Sequence, residues 1–182
     1  MTDRLGAVIL AGGQSSRMGE DKAVMTWNGR RAIDLVVDLA SDAGCESVTV
    51  AGRDYGYPHV RDPAPDCGPA VALLAAIRSV PALDRVLVLA IDAPLLDLAD
   101  LRPLLDLRGA GASFCNLPVP MHIRREAAAN ARGSTSLRQI VARAGLIQVT
   151  PRAGSEMMLR GANTPAEASA LRSLGNPSPD NS

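Results

Sequence analysis

The chain has 182 residues, 47% of them hydrophobic, and its 19 basic side chains balance 19 acidic ones. This length and hydrophobic content predict one packed domain and exclude a wholly disordered chain. With one Trp, two Tyr and one Phe and no basic block, the sequence argues against nucleic-acid binding, which depends on aromatic platforms or a Lys/Arg stripe.

Cysteine usage points to a reducing compartment. The chain has three widely spaced cysteines, Cys45, Cys67 and Cys115, and no CxxC pair. Neither a disulfide framework nor a structural zinc site is therefore indicated. The apolar run near the N-terminus is too short for a signal peptide or a membrane span. We expect a cytoplasmic protein that does not associate with membranes.

The first half of the chain alternates predicted strands and helices. Residues 5–10 form a continuous apolar run that ends at glycines, which is typical of a strand buried on both faces of a parallel sheet. Apolar residues at helical spacing predict a helix over 33–40, with Gly44 as its C-cap. Further along, the patterns predict a strand at 47–50, a Pro/Gly-rich loop at 52–66, a helix at 70–80 and a strand at 85–91.

The second half is less regular. The patterns predict strands at 112–115, 119–123 and 146–149, a helix at 136–144, and a last helix that begins after Asn163. Thr164 and Glu167 have capping-box spacing, and Pro165 suits the first helical turn. We expect one domain over residues 1–174 and a disordered tail over 175–182. The fold class is α/β, with a doubly wound, mostly parallel, Rossmann-like sheet and helices on both faces.

The loop after the first strand is the strongest candidate site. It runs from Leu10 through Ala11, Gly12 and Gly13 to Lys22. Glycines let backbone N–H groups approach an anion or a base closely, and the carboxyl end of a parallel strand is where open α/β sheets bind ligands. Ser15, Ser16, Arg17 and Lys22 supply donors and positive charge for phosphates. The alternative is an ordinary turn with a solvated lysine. Neither a Walker A loop nor GxGxxG is present.

Two groups of carboxylates are further candidates. Asp92 ends the strongest predicted strand, where it is either a ligand for Mg²⁺ or a loop or N-cap aspartate. Asp62 and Asp66 lie in a proline-rich turn that leads into the helix at 70–80. They either accept a hydrogen bond from a base or ribose hydroxyl, or are turn residues. The residue types alone favour the turn.

Nucleophilic catalysis is weakly supported. His59 and His122 stand beside no Ser or Cys motif, and GxSxG is missing. A solvated His59 and a small, buried, unreactive Cys67 are the simpler interpretations.

The motifs resemble those of the molybdenum cofactor guanylyltransferases, the MobA-like proteins. The segment VILAGGQSSRMGEDKA matches that family's LAGG, SxRMG and Asp-Lys pattern. In chain order, weaker matches follow at Asp62, Gly68-Pro69, Asp92-Ala-Pro94, Ile123-Arg-Arg125, Ser136-Leu-Arg138 and Asn163-Thr-Pro165. The resemblance extends over residues 5–174.

The resemblance implies that the substrates are GTP and molybdopterin and that Mg²⁺ is the cofactor. Backbone groups of Leu10, Ala11 and Gly12 would contact guanine, and Lys22 the phosphates. Asp62 would bind the nucleoside, and Asp92 both the nucleotide and Mg²⁺. Asn163 would face molybdopterin. Transient protein partners in cofactor delivery are a further expectation.

Some positions depart from the family pattern. An Asn at the end of the second strand is replaced by Ala51 or Gly52, and an Asn two positions before Asn163 is replaced by Gly161. The segment 117–120 also diverges. These departures leave phosphate binding intact but weaken the assignment of the acceptor.

The expected reaction is transfer of GMP from GTP to the molybdopterin phosphate, with release of pyrophosphate. An acceptor phosphate needs no strong general base, so catalysis is alignment plus charge neutralisation by Lys22, Arg17 and Mg²⁺ on Asp92. Two rivals are open: the same chemistry with CTP or another acceptor, and a nucleotide-binding homologue with impaired catalysis.

Overall fold

The computed structural model describes residues 3–12, 21–80 and 83–175. Within them the strands are β1 Leu5–Leu10, β2 Thr26–Trp27, β3 Arg30–Arg31, β4 Val48–Ala51, β5 His59–Val60, β6 Arg85–Ala90, β7 Gly111–Phe114, β8 Leu117–Arg124 and β9 Ile147–Val149. The helices are α1 Ala32–Asp42, α2 Pro69–Ser79, α3 Leu98–Leu105, α4 Arg125–Asn130, α5 Leu137–Arg143, α6 Glu156–Arg160 and α7 Pro165–Gly175.

A mostly parallel sheet forms the centre of the molecule. Its strand order is β5-β4-β1-β6-β8-β7-β9, while β2 and β3 pair separately as a small hairpin. The strands β5, β4, β1 and β6 pair in parallel, and β8 is antiparallel to both of its neighbours. The predicted α/β class with a mostly parallel sheet is therefore confirmed.

Both faces of the sheet are covered, because β1 sends apolar side chains to each side. Leu5, Ala7 and Ile9 belong to the core beneath α1, α3 and α7. Val8 and Leu10 belong to the core beneath α2, α4 and α5. Every residue of β1 is buried, as expected for a strand at the centre of a parallel sheet.

The predicted elements are present with boundaries shifted by one or two residues, but several elements were missed. They are the hairpin β2–β3, the short helices α4 and α6, and the two-residue β5, which lies inside the segment expected to be a loop. The sequence also missed α3, whose Pro103 is a helix-breaking residue in the sequence pattern. A capping box between Asp97 and Asp100 stabilises its first turn.

Some expectations fall on residues outside the described ranges. Gly13, Ser15, Ser16 and Arg17 are among them, as is the expected tail beyond residue 175. Gly175 itself, assigned to the tail from sequence, is the last residue of α7. No described helix is long and apolar enough to cross a membrane.

Candidate functional site

The segment Leu10 to Gly12 lies where three parallel strands end side by side. The Leu10 carbonyl accepts a 3.1 Å hydrogen bond from Ile91 N, just beyond β6. Ala11 N donates to the Ala51 carbonyl, the end of β4, at 3.0 Å. The segment is thus fixed at the carboxyl edge of the sheet, where open α/β sheets bind ligands.

Asp62 is brought against this backbone. A methyl group placed on Gly12 would lie 2.9 Å from Asp62 Oδ2, so a side chain at position 12 would require this carboxylate to shift. Asp62 is exposed and its carboxylate is open to a ligand. The structure therefore joins two of the candidate residues, 50 positions apart in the sequence, in one cluster.

The missing Asn of the second strand has a steric explanation. Ala51 is buried in the core beneath α2. Gly52 has a φ of +136°, and a methyl group on it would lie 2.9 Å from Gly12 N. A side chain at position 52 would displace the segment that ends β1. In this chain neither position supplies a polar side chain to the candidate site.

Lys22 contacts the C-terminal part of the chain. Its ammonium donates 2.9 Å hydrogen bonds to the Ala162 carbonyl and to Asn163 Oδ1. Lys22 is the only lysine among the 19 basic residues of the chain. A lysine carries a compact point charge on a flexible stem, whereas arginine presents a planar fork.

The turn that carries Lys22 is anchored by Asp21. The Asp21 carboxylate accepts from Ala23 N at 3.1 Å and from the Tyr55 hydroxyl at 2.8 Å. Arg53 lies 3.6 Å from the same carboxylate. Burial, together with the hydrogen bond to Asp21, raises the pKa of Tyr55, so its hydroxyl stays protonated as a donor. The loop between β4 and β5 therefore fixes the base of the Lys22 side chain.

Asp92 follows β6 and lies next to the same C-terminal segment. Its backbone carbonyl accepts a 2.8 Å hydrogen bond from Ala162 N. Burial raises the pKa of its carboxyl group, the charge of Lys22 opposes that rise, and the charge of Glu167 adds to it. Asp92 is thus a half-buried carboxylate within electrostatic reach of Lys22.

Gly161 lies in contact with the Asp92 backbone. It has a φ of +66°, and a methyl group on it would lie 2.2 Å from the Asp92 carbonyl oxygen. A side chain at this position would collide with backbone rather than with a flexible group. The departure from the family pattern at Gly161 therefore coincides with a close backbone approach.

The start of α7 confirms the predicted cap. Glu167 N donates to Thr164 Oγ1 at 3.2 Å, and Asn163 N donates to Glu167 Oε2 at 2.7 Å. The hydrogen bond from Asn163 N is the main cause that lowers the pKa of the Glu167 carboxyl.

Farther along α7, the Arg172 guanidinium stacks 5.1 Å from the centre of the Trp27 ring and links the helix to the hairpin β2–β3.

The nucleophilic alternatives lie elsewhere. His122 is 1% exposed within β8, and burial lowers its pKa to about 4. His59 is half-buried in β5, 3.9 Å from Asp54. Cys67, expected to be buried, is half-buried before α2. None of these side chains lies beside a partner for nucleophilic catalysis among the described residues.

The structure therefore brings the predicted residues together in two adjoining groups. Leu10, Ala11, Gly12 and Asp62 form one, and Lys22, Asp92 and Asn163 form the other. Gly13 and Arg17 lie outside the described residues. The sequence missed the Ala162 carbonyl as a partner of Lys22, and no side-chain motif could have indicated a backbone acceptor.

Comparison with known proteins points to one family. The model of the MobA-like NTP transferase domain matches residues 7–146 of this chain. A molybdenum cofactor guanylyltransferase from Xanthomonas euvesicatoria is 33% identical over 174 residues, which is 90% of this chain and 92% of that protein.

Solved structures show the same fold at low sequence identity. A nucleotidyl transferase from Methanothermobacter thermautotroptrophicus has a TM-score of 0.75 at 19% identity, covering 96% of this chain and 98% of that one. Molybdopterin-guanine dinucleotide biosynthesis protein A from Archaeoglobus fulgidus has a TM-score of 0.68 at 17% identity, covering 93% of this chain and 97% of that one.

Proposed function

The chain belongs to the MobA-like NTP transferase family of nucleotidyltransferases, and we propose that it transfers GMP from GTP to the terminal phosphate of molybdopterin. The observation that carries this proposal is the position of Lys22. It lies near the carboxyl edge of the sheet, hydrogen-bonded to Asn163 and close enough to Asp92 for its charge to act on that carboxylate. The identity of the base and of the acceptor follows the name of the Xanthomonas relative.

The nucleoside end of GTP would lie against the segment Leu10 to Gly12. Backbone N–H and C=O groups there, together with Asp62, offer donors and an acceptor to a base and ribose. The contact between Asp62 and Gly12 supports this assignment, because the carboxylate faces the backbone that would hold the base.

The phosphates would lie towards Lys22. A lysine ammonium there offsets the charge that develops on pyrophosphate as it leaves. Arg17 would add a second positive charge from the loop that precedes Lys22. The molybdopterin phosphate is already anionic near neutral pH, so it can attack the α-phosphorus without a strong general base. The role of the protein is then to align donor and acceptor for in-line displacement.

Asn163 would contribute on the acceptor side. Its side chain meets Lys22 directly, so the group that would contact molybdopterin and the group that would contact the triphosphate share one hydrogen bond. We propose that alignment of the two substrates depends on this shared contact.

Asp92 is suited to be a ligand of Mg²⁺. Among the described residues there is no group of three or more His, Cys, Asp or Glu side chains suited to a metal. Mg²⁺ suits such a setting, because it is commonly held by one or two carboxylates plus water and substrate phosphates. Burial raises the pKa of Asp92, which favours a nearby cation that would stabilise its charged form. When bound, Mg²⁺ supplies neutralisation of phosphate charge.

The test is a transfer assay on the purified protein with molybdopterin, with GTP or CTP, and with or without Mg²⁺. We expect pyrophosphate release and a GMP-linked product with GTP and Mg²⁺ only. Faster turnover with CTP would mean that the donor nucleotide is CTP rather than GTP. GTP binding without product would identify a nucleotide-binding homologue that has no transferase activity.

A further inference from the structure

Glu167, in the first turn of α7, holds the segment that receives the Lys22 ammonium. We propose that Glu167 is a positioning residue that sets the Lys22 ammonium through Asn163. The proposal rests on the function above, in which Lys22 contacts the triphosphate. It adds a residue that touches neither substrate.

The first step is that Lys22 has both of its described acceptors on one short segment. Ala162 O and Asn163 Oδ1 each accept a 2.9 Å hydrogen bond from Nζ. A lysine side chain loses rotamer freedom, which costs free energy, when it is fixed in one geometry. Two acceptors that are already in place reduce the freedom left to be lost when phosphate binds.

The second step is that this segment is held at both ends. At one end Gly161 packs against the Asp92 carbonyl, and Ala162 N donates to the same oxygen at 2.8 Å. At the other end Asn163 N donates to Glu167 Oε2 at 2.7 Å. Loss of Glu167 would leave the end of the segment that carries the Asn163 side chain without this anchor.

The third step asks whether Glu167 acts on Lys22 through its hydrogen bond to Asn163 or through its charge. The Glu167 carboxylate interacts electrostatically with both Lys22 and Asp92. Glu167 is exposed, however, and interactions between exposed charges are weakened by water and salt. The 2.7 Å hydrogen bond to Asn163 N is short and charge-assisted, so it governs the position of the segment more strongly than the distant charges do.

A spectroscopic test reads Lys22 directly. Because Lys22 is the only lysine, protein made with ¹³C,¹⁵N-lysine gives side-chain resonances from this one residue. In the wild type we expect two inequivalent Hε resonances, as for a held side chain. Glu167→Ala should collapse them towards the shift of a free lysine. Glu167→Gln, which keeps an acceptor oxygen, should preserve the wild-type pattern.

Two controls separate positioning from loss of structure. Glu156→Ala removes an exposed acid from the first turn of α6 and should leave the Lys22 signal unchanged. Trp27 is the only tryptophan and lies under Arg172 of α7, so its fluorescence reports whether α7 is still docked. Unchanged Lys22 resonances in Glu167→Ala would overturn the proposal. So would resonances in Glu167→Gln that collapse as fully as in Glu167→Ala, since charge would then be the cause.

A kinetic test follows the same variants. With GTP and molybdopterin we expect Glu167→Ala to lower kcat about tenfold and to change KM for GTP by less than about twofold, because alignment rather than binding is impaired. Added to Lys22→Ala, the same substitution should have no further effect on kcat. A full tenfold loss in that background would mean that Glu167 acts independently of Lys22. If the wild type transfers no GMP, the proposed function fails, while the lysine signal still tests the positioning role.

Discussion

The Lys22 ammonium and the Asn163 side-chain oxygen are joined by a 2.9 Å hydrogen bond although 141 residues separate them in the chain. Lys22 follows the loop after β1, and Asn163 precedes α7. The bond therefore joins the turn that follows this loop to the start of α7, near the carboxyl edge of the sheet. It couples the part of the site proposed to hold triphosphate with the part proposed to hold the acceptor.

The first prediction concerns Lys22 itself. We expect Lys22→Ala to lower kcat/KM for GTP by about 10²–10³, because a preorganised positive charge opposite the leaving group is lost. Lys22→Arg should recover little of this, since a planar guanidinium does not place one point charge between the two acceptors. Steady-state pyrophosphate release measures both. Arg108→Ala, on the exposed segment before β7, is the matched control, and wild-type turnover in Lys22→Ala would contradict the mechanism.

The second prediction is that Asp92→Asn separates activity from stability. Burial raises the pKa of the Asp92 carboxyl, so the charged form is disfavoured in the folded protein without ligand. A neutral, isosteric amide should leave the melting temperature of the free protein equal or higher. Turnover should fall by at least about 10²-fold, and the thermal shift produced by Mg²⁺ with GTP should shrink. Asp106→Asn, at the exposed end of α3, is the control.

If Asp92→Asn instead lowered the melting temperature strongly while turnover persisted, Asp92 would be a structural residue. The thermal scan and the transfer assay on one preparation distinguish the two outcomes.

The third prediction uses a matched pair of glycines. Gly161 and Gly145 have φ values of +66° and +67°, but only a methyl group on Gly161 meets another atom, 2.2 Å from the Asp92 carbonyl oxygen. Gly145→Ala should cost about 1 kcal/mol of unfolding free energy for its left-handed backbone. Gly161→Ala should cost about 1–3 kcal/mol more for two reasons. Its φ of +66° with a ψ of −171° is a conformation that essentially only glycine adopts, and the backbone would have to move away from the Asp92 carbonyl. The substitution should also reduce turnover.

Urea unfolding of both variants measures the difference in their free energies of unfolding. The transfer assay shows whether the backbone shift in Gly161→Ala also displaces Asp92. Equal stability losses at the two positions would mean that the contact between Gly161 and Asp92 does not constrain the backbone.

Much of the fold could be predicted because the sheet is buried on both faces. The continuous apolar runs of β1 and β6 and the helical spacing of α1 each indicate one structure on their own. By contrast, α3 depends on a tertiary contact. Its Asp100 is fully buried and paired with Arg152 at 2.8 Å, a partner 52 residues away that no local pattern contains.

The candidate site also has a part that the sequence predicts and a part that depends on tertiary contacts. Asp92 follows the end of β6, and the loop that leads to Lys22 begins at the end of β1, so the topology predicts that both lie near one edge of the sheet. The contact of Lys22 with Ala162 O, and the need for glycine at positions 52 and 161, arise from backbone approaching backbone. Such contacts leave no signature in side-chain chemistry, and a glycine in a sequence does not reveal which chain packs against it.

The last prediction concerns acid stability and the buried His122. Burial lowers its pKa to about 4 from an ordinary value of 6.5, and the nearby Leu104 backbone opposes this only in part. Between these two values the unfolded chain binds a proton that the folded protein does not, so stability falls as pH decreases through that window. A shift of this size corresponds to roughly 3 kcal/mol of unfolding free energy lost between pH 6.5 and pH 4.

Urea unfolding over this range should show His122→Leu losing less stability than the wild type by about that amount. Parallel pH profiles for wild type and His122→Leu would show that His122 titrates alike in the folded and unfolded chains.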